Sequence, residues 1–377
     1  MIYLAEPNLT GNERKYLNEC IDTTFVSTVG DFVNRFEMDV AEKSGARCAT
    51  AVSSGTDGLH MALKACGVER DELVCIPAFT FIASANAVAH CGAEPWLIDI
   101  SDESWTMNPE MLEEELEAKT RVKDGRIFHR ENGKRVAAIM PVYTMGMPAD
   151  MDKLRKIADR YHLPLVADAA AAIGSKYKGK NIGELADATV FSFNGNKTIT
   201  CGGGGAVVSG NEKIISLAKH MATTARVGME YDHDMVGYNY RMTNLQAAVG
   251  CAQLERLEEF IEKKQYINDY YKKHLEGIPG IKFFPETEWA KSACWFSGVV
   301  LDNTKDVREV CEQLAAKGIQ TRPFWKPVYM QRPYKDAEKS SINVTEKMWK
   351  HILTLPSSTG LTEIQLESII CALREIL

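Results

Sequence analysis

No run of about 18 uninterrupted apolar residues occurs in the sequence, so a membrane-crossing helix is not expected. The opening residues, Met1-Ile-Tyr-Leu-Ala-Glu-Pro7, have neither the basic start nor the apolar core of a signal peptide. A basic tract is also absent. Lys and Arg total 44 against 51 Asp and Glu, a net charge of −7. That balance argues against binding to a nucleic-acid polymer and leaves room for a local basic site for a small anion. None of the 10 cysteines is paired as C-x-x-C, and most sit in apolar segments. They read as reduced, buried thiols of a cytoplasmic protein, with no metal site. Two phosphate fingerprints are missing: the chain has neither G-x-G-x-x-G nor the Gly-Lys-Ser/Thr of a P-loop where a phosphate loop is expected. A dinucleotide-binding Rossmann protein is therefore disfavoured.

What is present is ordinary for a globular chain of 377 residues, with 45% hydrophobic and 25% charged residues. The length suggests two or three domains. Short apolar runs at 48–52, 73–76, 96–100, 137–142, 163–167, 188–193 and 206–209 read as strands. Helical stretches at 57–66, 82–90, 109–119 and 150–161 lie between them. Continuous apolar strands joined by helices predict a largely parallel sheet covered on both faces, with ligands at the carboxyl ends of its strands. After Gly237 the texture changes. A long helical region is expected over 243–275, then a strand at 295–301 and helices at 307–317 and 361–377. A Pro/Gly-containing stretch at 276–285 lies near the boundary between the two units.

Four features bear on chemistry. In Val52-Ser-Ser54-Gly55-Thr56-Asp57 a strand ends, a small-residue loop follows and a helix begins, which is a ready anion site or simply a capped helix start. Asp168 closes Leu163-Pro-Leu-Val-Ala-Asp168, where a carboxylate can meet a cationic ring nitrogen or cap the next turn. Lys197 follows Phe191-Ser192-Phe among apolar residues and glycines, with Gly202 to Gly205 just beyond. A partly desolvated lysine is a usable amine nucleophile that can form a Schiff base. In Pro77-Ala-Phe79-Thr-Phe81, an aromatic residue beyond a strand end can stack on a ligand ring, while Phe79 reads as core. The order of the four is more specific than any one. Phosphate donors, a stacking ring, a carboxylate and a lysine are the parts that hold pyridoxal phosphate.

These residues resemble the DegT/DnrJ/EryC1/StrS family of sugar aminotransferases. The resemblance rests on Ser54-Gly55-Thr56, Pro77-x-x-Thr80-Phe81, Asp168-Ala-Ala, Phe191-Ser-Phe-x-x-x-Lys197 and Gly237-Tyr-Asn-Tyr-Arg241. Thr24-Phe-Val-Ser-Thr-Val-Gly30 and Gln320-Thr-Arg-Pro-Phe-Trp-Lys-Pro327 look like the branch that makes 4-amino sugars for legionaminic-acid-type nonulosonates. The resemblance implies an α/β protein of pyridoxal phosphate fold type I. Its large domain, 1–255, carries a mostly parallel seven-stranded sheet, and a smaller α+β domain spans 256–377. It also implies a homodimer with shared active sites. Lys197 would link to the cofactor and Asp168 would pair with its ring nitrogen. Phe81 would cover the ring, and Ser54, Gly55, Thr56 and Ser192 would hold the phosphate together with Asn239 of the other subunit. Arg322, Trp325, Lys326 and Tyr329 are the candidates for the sugar nucleotide. The chain departs from the family at Ala171, where Gln or His is frequent, at Tyr143 and Met145 in Tyr143-Thr-Met-Gly146, and at Tyr329, where His is frequent.

The activity expected from this resemblance is transfer of an amino group from glutamate to the C4 ketone of a UDP-linked 4-keto-6-deoxy-N-acetylhexosamine. A 3-aminotransferase acting on a dTDP-3-keto sugar and a non-catalytic regulator that binds pyridoxal phosphate are the alternatives.

Overall fold

The computed structural model describes residues 1–377. Two helices precede the first strand: α1 (Glu13–Asp22) and α2 (Asp31–Ser44). The seven apolar runs then form β1 (Cys48–Val52), β2 (Leu73–Pro77), β3 (Glu94–Ile98), β4 (Val136–Ile139), β5 (Val166–Asp168), β6 (Ala188–Ser192) and β7 (Gly205–Ser209). Between and after them run α3 (Gly55–Ala65), α4 (Ile82–His90), α5 (Pro109–Lys119), α6 (Met151–Tyr161) and α7 (Glu212–Ala222). Strand order is β3-β2-β4-β5-β6-β7-β1, with the β4–β5 seam closed by parallel bridges at Ile139–Leu165 and Val142–Asp168. β2, β4 and β7 are buried at every position, as strands covered on both faces must be.

Only β7 runs against the rest. Its connection from β6 contains no helix, and a parallel return would need a crossover. The chain therefore doubles back, pairing Ser192 with Gly205 and leaving residues 193–204, which carry Lys197, as the loop at the sheet's ligand-binding end.

The single helical region expected over 243–275 is two helices, α8 (Asn244–Leu254) and α9 (Leu257–Leu275). α8 opens with a capping box between Thr243 and Gln246. Arg256 leaves helical geometry at φ −113°, ψ 13°. No Pro or Gly marks this break. The surrounding side chains are held elsewhere: Gln253 donates to Asn8 O and Glu13, Arg256 to Asn8 and Thr10, and Glu255 accepts from Tyr16 and Arg35. Before the break the helix packs on the large core through Leu254, and well after it Ile267 and Tyr271 join a second core.

That second core lies under an antiparallel sheet of β8 (Ile281–Phe283), β9 (Ser297–Leu301), β10 (Arg322–Pro323) and β11 (Ile352–Leu355), ordered β8-β9-β11-β10. α10 (Val307–Ala316), the short α11 (Val344–Met348) and α12 (Glu363–Ile376) complete the chain. The N-terminus joins this sheet region: Ile2 N donates to Gly318 O and Gln320 N to Ile2 O. Val328, Tyr334 and Ile342, by contrast, pack on the large sheet's core.

One loop is fixed from beneath. Asn244, at the start of α8, accepts from Phe32 N and donates to Phe25 O at 2.7 Å and to the Cys20 sulfur. Gly30 passes so close, at φ 154°, that a Cβ there would lie 2.3 Å from the Asn244 side chain. All ten cysteines are free thiols. No helix is long and apolar enough to cross a membrane.

Candidate active site

The carboxyl ends of β5 and β6, the start of α3 and the edge of the second sheet enclose a cavity of about 700 Å³. Asp168 is the last residue of β5 and is 5% exposed. Its Oδ2 accepts from Ser84 Oγ at 2.7 Å and its Oδ1 from Ala170 N at 3.1 Å. Ser84 in turn shares a hydrogen bond with Thr80, one helical turn earlier. Burial holds the Asp168 carboxyl above the usual range, although Ser84, Ala170 N–H and the Lys197 charge all pull it down.

Lys197 opens into the same cavity from the β6–β7 loop. Burial pushes its amine down to about 8, against the pull of Asp168. The Nζ atom lies 3.9 Å from the centroid of the Trp295 ring. Trp295 Nε1 donates to Asn196 O at 2.6 Å, so the indole is tied to the residue just before the lysine.

The anion loop faces this pair. Ser54 caps α3, accepting from Asp57 N at 3.1 Å and donating to Asp57 Oδ2, so its hydroxyl also does what an ordinary cap does. Gly55 begins the helix, where a Cβ would sit 2.7 Å from the Ser192 Cβ. The first turn of α3 therefore lies flush against Ser192, and unpaired helix N–H groups point to the cavity end of the sheet. Gly55, Thr56 and Ser192 all line the cavity. Gly205 lies beside Ser54 in turn, so part of the glycine run serves backbone packing and not a ligand surface.

Phe81, 53% exposed, forms another part of the wall, 5.9 Å from Trp325, while Phe79 is fully buried. Trp325 stacks on Phe324 at 4.1 Å, and Arg322 lines the wall on the exposed edge of β10. Tyr143 and Ala171 also line it. The Tyr143 hydroxyl is buried without a partner, and Met145 behind it takes a left-handed backbone at φ 57°.

Three residues singled out in the sequence stand outside this wall. Lys326 is exposed beyond it. Tyr329 packs against the large-sheet core, its hydroxyl buried without a partner, because Val328 beside it anchors the segment there. Asn239 is exposed on the surface, in a segment laid along the anion loop by the bond from Ser53 N to Tyr240 O. Conversely, Ser84 and Trp295 were not singled out. The four-residue spacing of Thr80 and Ser84 at the start of α4 was the available signal for the first. Trp295 carried none.

The profile of the DegT/DnrJ/EryC1/StrS aminotransferase family matches residues 7–374. The chain belongs to this family. Its members are pyridoxal phosphate-dependent, and the enzyme is a sugar aminotransferase that acts on nucleotide-linked sugars. It is 37% identical to GDP-perosamine synthase of Vibrio cholerae, across 98% of this chain and 97% of that protein. It is 32% identical to the UDP-4-amino-4,6-dideoxy-N-acetyl-beta-L-altrosamine transaminase of Campylobacter jejuni, across 89% of this chain and 86% of the relative. A DegT DnrJ EryC1 StrS aminotransferase from Brucella abortus superposes with a TM-score of 0.88 at 28% identity, covering 97% and 95% of the two chains. The enzyme's cavity fits the family's cofactor: it joins a buried carboxylate, a desolvated amine and a helix start too tight for a Cβ at Gly55.

Proposed function

We propose that the enzyme transfers an amino group from glutamate to the C4 ketone of a UDP-linked 4-keto-6-deoxy-N-acetylhexosamine, in the making of a nonulosonate or another cell-surface glycan. The carrying observation is the meeting of Lys197 and Asp168 in one cavity that also has an unpaired arginine, Arg322, on its wall. When bound, pyridoxal phosphate supplies an electron-withdrawing ring and an aldehyde that takes up and hands on the amino group.

The chain's own residues do the rest. The N–H groups opening α3, with Thr56 and Ser192, would hold the phosphate. Asp168 would present its carboxylate to the ring nitrogen, and Ser84 and Ala170 N–H fix that carboxylate's orientation. Phe81, on the cavity wall, would cover one face of the ring. Lys197 Nζ, with its basicity lowered by burial, takes a proton and returns it, a transfer worth about 10²–10⁴-fold in rate. Arg322 offers a charge to the diphosphate, and Trp325 forms the shelf beside it.

The C4 assignment draws on the Campylobacter relative, whose name specifies a 4-amino sugar on UDP. A GDP-linked keto sugar is the second reading, favoured by the higher identity to GDP-perosamine synthase. A panel of UDP-, GDP- and dTDP-linked keto sugars, with glutamate as donor and product mass as readout, tests both. Preference for the UDP-linked 4-ketone is expected. A markedly better 3-keto dTDP sugar would overturn the assignment.

We further propose a homodimer in which Asn239 reaches the partner's phosphate site. Exposed apolar side chains at Phe25, Val26 and Val29, and at Met229, Tyr231 and Val236, support a covered face.

A further inference from the structure

We propose that the indole of Trp295 is the seat of the Lys197 amine, and that Lys264 is the positioning residue that keeps this indole in place. The inference takes its catalytic meaning from the reading of Lys197 as the reactive amine, but the geometry stands without it.

The amine lies 3.9 Å from the ring centroid, well inside the range at which a cation is drawn to an aromatic face. No side-chain hydrogen bond supports the amine; Asp168 alone acts on it by charge. The indole therefore supplies the close contact. It is itself 3% exposed and pinned at both ends. Its Nε1–H donates to Asn196 O, and its backbone carbonyl accepts from Lys264 Nζ at 3.0 Å.

Lys264 is an unusual residue to bury. It is 4% exposed on α9, and its Nζ donates to two carbonyls, Trp295 O and Ser357 O at 2.9 Å. Those carbonyls carry no formal charge, so burying this amine is costly, and burial pushes it down to about 8. A methylene side chain would fill the volume without that cost. What the amine adds is a clamp joining the entry of β9 to the exit of β11. Ser357 extends the clamp by accepting from Ser297 N and donating to Leu355 O.

The seat discriminates between protonation states. An aromatic face attracts the ammonium form and has little hold on the neutral amine. Lys197 is thus parked when charged and released when it has given up its proton. The other titratable or charged groups facing this space are Asp168 from β5, Tyr143 after β4, Arg322 from β10 and Lys264 behind the indole.

The test reads Lys197 directly in the cofactor-free protein. Competitive acetylation with acetic anhydride, followed by mass spectrometry of the Lys197 peptide across neutral to alkaline pH, gives its titration midpoint. Protein made with mono- and difluorotryptophan keeps the ring's shape but drains charge from its face. The midpoint is expected to fall stepwise with fluorination, and by about one pH unit in Trp295→Leu. Lys264→Met should move it in the same direction, and Lys264→Arg should restore most of it. A midpoint indifferent to fluorination overturns the seat, even if Trp295→Leu fails to fold. A Lys264→Met midpoint equal to wild type overturns the clamp. Failure of every keto sugar to accept an amine would sink the functional reading and leave this titration unchanged.

Discussion

Lys197 is ordinarily protonated up to 10.5, yet burial brings it to about 8 in the folded chain. Below about 8 both folded and unfolded states carry the charge, and only the folded state bears the burial penalty. Between about 8 and 10.5 the unfolded chain holds the proton more tightly, so stability rises with pH through that window. Cofactor-free Lys197→Met should therefore melt a few degrees above wild type at neutral pH, with the gap closing as pH approaches the ordinary lysine value. Thermal melts at matched ionic strength check this, and a gap constant with pH would refute it. At this scale the sequence was informative where a residue type was out of place for its setting. Asp168 ended an apolar strand, and Lys197 stood among glycines without other charges. Lys264 gave no such sign, because Glu262-Lys263-Lys264-Gln265 reads as a solvated helix face. Only the packing of α9 across Trp295 and Ser357 turns that one lysine inward.

Among the elements, α3 and β6 meet at the site with no room for an added side chain. In Gly55→Ala the new methyl group would meet Ser192 Cβ at 2.7 Å, so helix and strand must part. Overpacking of this kind costs about 1–3 kcal/mol. Pyridoxal phosphate affinity, followed by absorbance titration, should fall about tenfold or more. Gly360→Ala, with nothing near its Cβ, serves as the silent comparison. The strands of the large sheet were legible because both their faces are buried, which leaves unbroken apolar runs. α1 and α2 were not read, and both begin without a side-chain cap to announce them. The pieces of the second sheet at β8 and β10 are too short to carry a period. The break between α8 and α9 is made by distant partners of Gln253, Glu255 and Arg256, and no local residue could have signalled it.

For the whole molecule, the proposed shared sites make a sharp demand on mixed subunits. Lys197→Ala and Asn239→Ala chains should each be nearly inactive. A mixed dimer has one site with both lesions and one with neither, so activity should partly return once subunits exchange. Verified exchange without recovery would refute the shared-site arrangement. The surface that would be covered includes Phe25, Val26 and Val29, and this loop is the one anchored from below by Asn244. Ordering a free loop on association normally sets an entropic charge against the apolar area gained. Here the backbone is already immobilised by hydrogen bonds to Phe25 O and Phe32 N and by the close pass of Gly30. Assembly would thus resemble the docking of two rigid bodies, with a heat-capacity change set by the apolar area covered and little added from coupled folding. Replacing Asn244 with alanine would loosen that surface without touching it, and would weaken association through the free chain's regained motion.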